Sequence, residues 1–174
     1  MNEKYCVIDK NEFKDKNIIK KLYTYLDIDK NKKTVIFDIH NTLEFNEGEI
    51  DQTIYKFIKK NYKKINIVLL SYDGNSKRII QNYNIINNIS PIFSDIPFIF
   101  IKKRKKHHII FYISKIVKEP ILFVDDNYKN IIDAKKIKKR LENLYIIHYT
   151  AHVKEKYNTG IIDIYDKLYK FIKN

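Results

Sequence analysis

The amino-acid sequence predicts an α/β protein: a Rossmann-like three-layer sandwich with a mostly parallel central sheet and helices on both faces. Short runs of large apolar residues, such as Val35–Phe37, are typical of strands that are buried on both faces. These runs alternate with segments in which apolar residues recur every three or four positions, as in amphipathic helices. Strands that alternate with helices pack as a parallel sheet covered by helices. Polar and acidic residues directly follow several of the runs, where a strand would end.

Length and composition indicate one folded domain. The 174 residues can bury a core, and a content of 44% hydrophobic and 14% aromatic residues excludes a disordered chain. We expect a single domain over 1–174, made of an N-terminal extension (1–33), a core (34–150) and a C-terminal helix (151–174). Cys6 is the only cysteine, which excludes a disulfide within the chain and a zinc site built from several cysteines.

We expect neither a membrane-spanning segment nor a secretory leader. No apolar run approaches the ~20 residues that cross a bilayer, and the N-terminal stretch Met1–Cys6 has no apolar signal core. We therefore expect a cytoplasmic, intracellular protein without a membrane partner.

The protein is basic, with 34 lysine and arginine residues against 21 aspartate and glutamate residues and a net charge of +13. Such a charge favours encounter with polyanions at low salt. However, lysine, isoleucine, asparagine and tyrosine are abundant together, as in proteins of AT-rich genomes. Only Arg78, Arg104 and Arg140 are arginine, the residue best suited to bidentate binding of phosphate and guanine. Nucleic acid is therefore one candidate partner, which the charge alone does not establish.

The first part of the chain predicts a short strand, a helix and a core strand. Tyr5–Ile8 is an apolar patch, and the apolar residues of 18–26 recur at helical spacing. The core strand Thr34–Phe37 is followed by a turn-rich stretch at 43–49. Asp51 then begins a helix, because its carboxylate can accept a hydrogen bond from a free N–H group of the first turn.

The middle of the chain continues the alternation. Ile65–Leu70 is a second buried strand, and it ends in a hydroxyl residue and a glycine-containing turn. Ser76 can cap a helix that runs to about residue 87. Two short strands are predicted at Ile89–Phe93 and Phe98–Ile101, each next to a proline.

The last part of the chain predicts three helices and two strands. A helix with apolar residues between 109 and 117 on one side ends before a proline, and the strand Ile121–Val124 follows it. A second helix continues to about residue 141, and Leu144–Ile147 is the next strand. An amphipathic helix over Ile161–Phe171 closes the sequence.

Four predicted strand or helix ends carry polar side chains that a single crevice could collect. Ligands of open parallel sheets bind outside the carboxyl ends of the strands. The polar residues at these ends are Asp38 with His40, Ser71, one of the lysines at 102–106, and Asp125 with Asp126. A carboxylate at such a place is a candidate nucleophile or metal ligand. Taken alone, each of these residues is equally well explained as a helix cap or a turn residue.

The order of these polar ends resembles that of the haloacid dehalogenase (HAD) superfamily, whose members are mostly Mg²⁺-dependent phosphohydrolases on a Rossmann-like sheet. The resemblance covers roughly Thr34 to Leu144. Val35–Leu43 is similar to the first motif, in which an apolar strand is followed by Asp-x-Asp-x-Thr. Val68–Ser71 is similar to the second motif, and Leu122–Asn127 is similar to the fourth, an apolar strand that ends in an acidic pair.

The resemblance implies a nucleophile and a metal site. Asp38 would take the phosphoryl group as an aspartyl-phosphate. The other carboxylate oxygen of Asp38 and the backbone carbonyl of His40 would bind Mg²⁺. Asp126 would supply the acidic ligand, with Asp125 in support. Oxygen ligands suit a hard cation of this kind.

The resemblance also implies a phosphate site. The third motif of the family is a single lysine, which would offset the charge of the nucleophile and the phosphate together. Lys106 stands at the start of a predicted helix and fits this motif, and Lys105 fits nearly as well. Ser71 and Tyr72 would bind the phosphate. The other basic residues of 102–106 are expected to form a solvated face.

His40 departs from the family pattern. The usual residue at this position is an aspartate that protonates the leaving oxygen and activates water. Imidazole can carry out the same proton transfers, since its reference pKa lies near ~6.5. Family members without this aspartate include dehalogenases, phosphonatases and inactive relatives. Two hypotheses therefore stay open: an active phosphatase, and a catalytically degenerate HAD-like module that binds nucleic acid or a protein partner.

The spacing of the motifs leaves no room for a sizeable cap domain. Between Thr42 and Ser71 the chain fits only a turn and one helix before the next strand, and between Ser71 and Lys106 only a helix and two short strands. Capless members of the family tend to act on large substrates, because the macromolecule itself must exclude water from the site. We expect a large or exposed phosphorylated substrate, such as a nucleic-acid end or a phosphoprotein.

Overall fold

A six-stranded sheet, in which every pair of neighbouring strands is parallel, forms the centre of the molecule. The computed structural model describes residues 5–9, 17–46, 48–102, 105–153 and 160–174. The strands of the sheet are β1 (Cys6–Ile8), β2 (Thr34–Phe37), β5 (Asn66–Tyr72), β6 (Phe98–Ile101), β7 (Ile121–Asp125) and β8 (Leu144–His148). A separate antiparallel hairpin is formed by β3 (Glu44–Phe45) and β4 (Glu49–Ile50).

Helices cover both faces of the sheet, which confirms the predicted three-layer fold. One face packs against α1 (Ile18–Leu26), α4 (Lys106–Ile113) and α5 (Tyr128–Lys138). The other face packs against α2 (Gln52–Asn61), α3 (Ser76–Ile89) and α6 (Tyr165–Lys173). Successive side chains of a strand point to opposite faces, and all four residues of β2 are buried. Burial on both faces explains why this strand is continuously apolar after Thr34.

The strand order, β1-β6-β5-β2-β7-β8, places a crevice at the carboxyl ends of β2 and β7. The chain leaves β2 for β5 and β6 on one side. It then crosses to β7 on the other side of β2 and continues outward to β8. The connections that follow β2 and β7 therefore run in opposite directions. Neighbouring strands with this property open the crevice in which α/β sheets bind their ligands.

The described parts of both terminal segments are integrated into the fold. β1 pairs with β6 and extends the sheet, and α1 packs against α4. The segment after β8 is fastened by Asp51, whose Oδ2 accepts hydrogen bonds from the Tyr149 hydroxyl (2.5 Å) and from Nε2 of His152 (2.7 Å). The His152 ring stacks on Phe45 of the hairpin at 3.7 Å between centroids.

Two predictions were wrong in the type of element. The stretch 43–49 is not only a turn but contains β3 and β4, whose turn includes Gly48 at φ +123°, an angle that favours glycine. The predicted strand Ile89–Phe93 is instead the last residue of α3 followed by a 3-10 helix over Pro91–Asp95. Proline at the start of that helix fixes φ at a helical value and lacks an N–H group that the first turn could not use.

Other predictions were wrong at the element boundaries. The cap of α3 is Asn75, whose Oδ1 accepts the Lys77 N–H at 2.9 Å, and not Ser76. α4 ends at Ile113 and α5 at Lys138, before the predicted ends. The terminal helix begins only at Tyr165, because Ile161 instead donates its N–H to the His148 carbonyl at 2.9 Å.

No helix in the described part of the chain combines the length and the apolar composition that crossing a membrane requires.

Candidate functional site

Three carboxylates meet at the carboxyl ends of the central strands. Asp38 directly follows β2, and its N–H donates to the Val124 carbonyl of the neighbouring strand at 2.9 Å. Asp125 is the last residue of β7, and Asp126 follows it. One carboxylate oxygen from each of the three residues lies within 4.8 Å of the others. The two central strands therefore bring together the acidic residues that the sequence predicted as one site.

Lys106 joins the carboxylates from the helical layer. It is the first residue of α4, and the buried residues Ile109, Ile110 and Ile113 hold that helix against the sheet. Its Nζ donates to Oδ1 of Asp38 and, at 2.7 Å, to Oδ2 of Asp125. The Lys106 side chain is only 4% exposed. The ammonium group is thus a fixed, buried part of the acidic cluster, defined here as Asp38, Lys106, Asp125 and Asp126.

Asp125 is held on its other side by two asparagines at the start of α5. Its Oδ1 accepts the backbone N–H of Asn127 at 2.8 Å. The side-chain amide of Asn130 donates to both Asp125 oxygens, at 3.2 and 3.1 Å. Together with Lys106 these donors satisfy a carboxylate that is completely buried.

Burial governs the protonation of the acidic cluster. It raises the pKa of Asp38 to about 6, because the carboxylate loses hydration that Lys106 only partly replaces and because Asp126 is close. Burial and the neighbouring Asp38 raise the pKa of Asp125 to about 6 as well. Burial lowers the pKa of Lys106, but the two carboxylates raise it more, so that it lies above its ordinary value. Lys106 therefore stays charged at neutral pH.

The acidic cluster has the composition of a divalent-cation site. Three carboxylates and one ammonium group leave a net charge of −2 when all are ionised. An oxygen of Asp38 and an oxygen of Asp126 lie within 4.8 Å of each other, and a proton or a cation between them would relieve the repulsion of the two charges. All the available donors are oxygens, which Mg²⁺ prefers. The residues present thus fit a hard divalent cation.

Ser71 and Tyr72 lie at the end of the neighbouring strand β5. Ser71 is buried, with 1% of its surface exposed. Tyr72 is the last residue of the strand and is 53% exposed. The phosphate-binding role of both residues stays a prediction.

The structure separates the two candidate lysines. Lys105 precedes α4 in extended conformation, and its Nζ lies 2.8 Å from Oδ2 of Asp133 on α5. Its side chain is 52% exposed, and it contacts none of the three clustered carboxylates. Lys106 is thus the lysine of the acidic cluster. Residues 103 and 104 of the predicted basic run lie outside the described residues.

His40 lies beside the acidic cluster, in a second network of hydrogen bonds at the rim of the crevice. Its Nδ1 is 3.1 Å from Oε2 of Glu44, and the other Glu44 oxygen accepts the Gly48 N–H at 2.7 Å. Its Nε2 is 2.9 Å from Nδ2 of Asn82, which also donates to Asp73 at 3.2 Å. We call Glu44, His40, Asn82 and Asp73 the rim network. Both nitrogens of the His40 ring therefore have partners.

Glu44 favours the charged form of His40, whereas the Asn82 amide group, a donor at Nε2, fits the neutral ring. The hydrogen bond to Glu44 raises the pKa of His40 despite partial burial, and the nearby Asp38 carboxylate adds to this effect. In return, His40 lowers the pKa of Glu44. In the neutral ring, Nδ1–H donates to Glu44 and Nε2 accepts from Asn82; in the charged ring, both nitrogens are donors.

Sequence reasoning missed the residues that hold these groups in place. Asn127 and Asn130 orient Asp125, and the asparagines in the first turn of a helix after the acidic pair were a usable signal for them. Glu44 and Asn82 orient His40. Asn82 lies 42 positions from His40 in the chain, and nothing in the sequence marks it among many asparagines.

Two cavities in the described part of the chain lie away from the acidic cluster. One, of about 1560 Å³, lies near the amino end of β6, between Tyr25, Tyr83 and Pro97. The other, of about 500 Å³, lies along β8. Neither is lined by a residue of the acidic cluster. The candidate site is thus defined by converging side chains and not by the depth of a pocket.

Comparison of the chain with models of known protein families, with curated proteins and with solved structures gave no match. Any functional assignment therefore depends on the residues and on the geometry described above.

Proposed function

We propose that the protein is a Mg²⁺-dependent phosphohydrolase of the haloacid dehalogenase type, acting through Asp38. One observation carries the proposal: Asp38, Lys106, Asp125 and Asp126 converge at the point where the strand connections diverge. A buried carboxylate that contacts a fixed ammonium group and two further carboxylates is costly unless a ligand uses it. A divalent cation matches the negative charge of the carboxylates, and a phosphoryl group matches the positive charge of the cation and of Lys106.

In this proposal Asp38 is the nucleophile. One of its carboxylate oxygens attacks phosphorus, a P–O bond to Asp38 forms, and the P–O bond to the leaving group breaks. The leaving oxygen takes a proton and departs as an alcohol. Water then attacks the phosphorus of the aspartyl-phosphate, gives up a proton, and releases inorganic phosphate and the Asp38 carboxylate.

The other residues of the acidic cluster stabilise charge during these steps. Mg²⁺, held by Asp38 and Asp126, would supply positive charge for the phosphoryl oxygens. Lys106 offsets the charge of the nucleophile and keeps it oriented, since its Nζ is fixed by Asp125 on the other side. The Ser71 hydroxyl, near the end of the neighbouring strand β5, donates to a phosphoryl oxygen.

His40 is the proposed source of the proton for the leaving oxygen. The contact with Glu44 raises the pKa of His40 and so favours the charged ring, in which Nε2 carries a proton. A leaving oxygen at the rim would then replace Asn82 as the partner of that nitrogen. The connection after β2 holds a hairpin and one helix, and the connection after β5 holds one helix and a 3-10 helix, so neither contains an inserted domain. The crevice would therefore suit a large phosphorylated substrate, such as a nucleic-acid end or a phosphoprotein.

The test is phosphate release from an aryl phosphate by purified protein with Mg²⁺. Asp38→Asn, which keeps the shape of the side chain, should abolish turnover, and chelation of the metal should do the same. Lys105→Ala is the matched control, because Lys105 neighbours the acidic cluster in sequence without contacting it, and it should retain turnover. Persistence of the wild-type rate in Asp38→Asn would refute the mechanism.

A second candidate function is a catalytically degenerate module that binds nucleic acid or a protein partner. The observation in its favour is that both His40 ring nitrogens already have partners, Glu44 and Asn82. This alternative predicts no turnover of any phosphate ester. It also predicts salt-sensitive binding that is unchanged in Asp38→Asn. Calorimetric titration with Mg²⁺ separates the two, since only the enzyme requires Mg²⁺ binding that depends on Asp38 and Asp126.

A further inference from the structure

A cleft of about 500 Å³ follows the outer edge of the sheet, and its lining differs chemically from the acidic cluster. Its walls come from β8, from α5 and from α6. The apolar part of its lining includes Leu122, Tyr145, Ile147 and Phe171. Tyr145 is 50% exposed there. The cleft therefore offers apolar surface beside a sheet edge.

Five lysines surround this apolar surface, and no acidic residue lines the cleft. They are Lys33, Lys135, Lys138, Lys167 and Lys170. Among the residues that the structure describes, none of the five is within ion-pair distance of a carboxylate. Lys33 and Lys138 bind backbone carbonyls at the end of α6 and at Leu144, which carry only partial negative charge. The cleft therefore carries a concentrated positive charge.

The edge strand itself presents peptide groups to the cleft. β8 is the last strand in the sheet order. On its outer side the Leu144 carbonyl accepts from Nζ of Lys138, and the His148 carbonyl accepts the Ile161 N–H at 2.9 Å, so the open part of the edge lies between these two residues. The Asn143 carbonyl and the Tyr149 N–H both bond to β7. Every second residue of a strand directs its peptide groups to the same side, so those of Tyr145 and Ile147 also face β7. The intervening residue Ile146 consequently directs its N–H and C=O toward the open edge.

Lysines can also protect a sheet edge from pairing, but these are placed differently. Protective charges lie on the edge strand, whereas β8 has the sequence Leu-Tyr-Ile-Ile-His and contains no lysine and no proline. The five lysines lie beside the strand, on α5, on α6 and before β2. Only Lys138 occupies a peptide group of the edge, the Leu144 carbonyl, and the peptide groups of Ile146 stay open between the flanking lysines.

We infer that this cleft binds an extended acidic segment of a partner protein, which adds as a strand to the outer edge of β8. Peptide groups of the segment would pair with Ile146, its apolar side chains would pack on Tyr145 and Ile147, and its carboxylates would meet the flanking lysines. A nucleic-acid strand would match the charge but not the peptide groups of an open edge. The inference does not depend on Asp38 or on the proposed reaction.

The binding test uses a fluorescein-labelled peptide of alternating glutamate and valine, about eight residues long, the length of a typical strand, measured by fluorescence anisotropy. The double variant Lys135→Glu with Lys170→Glu should weaken binding by at least about tenfold, because two attractive contacts become repulsive. Both lysines are exposed and unpaired in the described chain, so folding should not suffer. The matched control is Lys20→Glu with Lys56→Glu, which changes the net charge equally at exposed positions outside this cleft and should bind like the wild type.

Amide hydrogen exchange tests the strand pairing itself. Saturation with the peptide should slow exchange of the Ile146 N–H by at least about tenfold, an effect that charge attraction alone would not produce. Equal binding to both double variants would overturn the inference, as would unchanged exchange at Ile146. Tighter binding of an oligothymidine of the same charge, lost in the same double variant, would assign the cleft to nucleic acid and overturn it as well.

Discussion

The acidic cluster and the rim network are neighbours at one end of the sheet, but they are built differently. The acidic cluster is formed by side chains on β2, β7 and α4, and the Lys106 side chain is only 4% exposed. The rim network joins a loop, a hairpin and a helix, and its His40 side chain is 43% exposed. The cluster is therefore fixed by the core, whereas the rim depends on side-chain hydrogen bonds that water or a substrate can replace. For the proposed reaction, the groups that stabilise charge are therefore in place before the substrate binds, whereas the group that transfers the proton can exchange its hydrogen-bond partners.

The largest expected effect is that of Lys106→Met, which removes the single positive charge of the acidic cluster. Asp38 and Asp125 would then be buried without a partner charge, so the free energy of unfolding should fall by about 3–5 kcal/mol. If the proposed function holds, turnover should fall by at least about 10²–10³-fold. Urea unfolding and phosphate release measure the two effects.

Lys105→Ala is the matched control for Lys106→Met. Lys105 forms a salt bridge with Asp133 while its side chain is half exposed, so its removal should cost only about 0–1 kcal/mol. Equal losses of stability in the two variants would show that Lys106 does not hold the acidic cluster together.

The second prediction concerns pH in the metal-free protein. The pKa of Asp38 is raised to about 6 from an ordinary 3.8, so the folded protein holds this proton more tightly than the unfolded chain does. The resulting stabilisation is fully present below pH 3.8 and is lost as the pH rises through about 6. Asp38→Asn does not titrate. Its stability relative to the wild type should therefore increase between pH 4 and pH 7, as measured by urea unfolding with a chelator.

Mg²⁺ supplies the control for the pH prediction. A cation that binds the ionised carboxylates should restore the stability of the wild type at neutral pH, by about 2.7 kcal/mol at a concentration of 100 times its dissociation constant. The same Mg²⁺ concentration should stabilise Asp38→Asn much less. A relative stability of the two proteins that does not change with pH would contradict the raised pKa of Asp38.

The core of the site could be predicted from the sequence because it lies at strand ends. Buried parallel strands are recognisable as apolar runs, and the residues after neighbouring strands must meet at one edge. The sequence did not distinguish Lys106 from Lys105. It contained the necessary signal, however: Ile109, Ile110 and Ile113 follow Lys106 at the spacing of one helical face, which places Lys106 on the side of α4 that faces the sheet.

The rim could not be predicted in the same way. The strands of its hairpin have two residues each, too few to show an alternating pattern. Its contact between His40 and Asn82 joins a loop to the middle of α3, and asparagine occurs throughout the sequence. Long-range contacts between common polar residues depend on how helices pack, which local patterns do not encode.

A smaller effect is expected for Asn130→Ala, which removes one orienting contact of the acidic cluster. Asp125 would keep its bonds to Lys106 and to the Asn127 N–H, so the loss of stability should be about 1–2 kcal/mol. Mg²⁺ affinity should fall by about tenfold, as for other residues that orient metal ligands. Calorimetric titration measures the affinity. Asn84→Ala, at an exposed position of α3, is the control and should leave both quantities unchanged.

The smallest expected change is in the rim and leaves the fold intact. Glu44→Gln keeps a hydrogen-bond acceptor beside Nδ1 of His40 but removes the negative charge, so the pKa of His40 should move down toward its ordinary value. Titration of the ring nitrogens by NMR measures this pKa. Asn82→Ala removes the neutral partner of the same ring and should leave the pKa of His40 raised. An unchanged pKa in Glu44→Gln would show that Glu44 does not set the charge of His40.

The same variant decides whether the rim takes part in the reaction. If His40 protonates the leaving oxygen, the alkaline limb of the kcat profile should move to lower pH in Glu44→Gln together with the pKa of His40, because kcat reports groups in the enzyme–substrate complex. The pH dependence of stability that arises from Asp38 should stay as in the wild type, since the acidic cluster is held by different elements. A His40 pKa that moves while the kcat profile stays fixed would mean that the two regions differ in function as well as in construction: a reactive core beside a rim that only shapes the crevice.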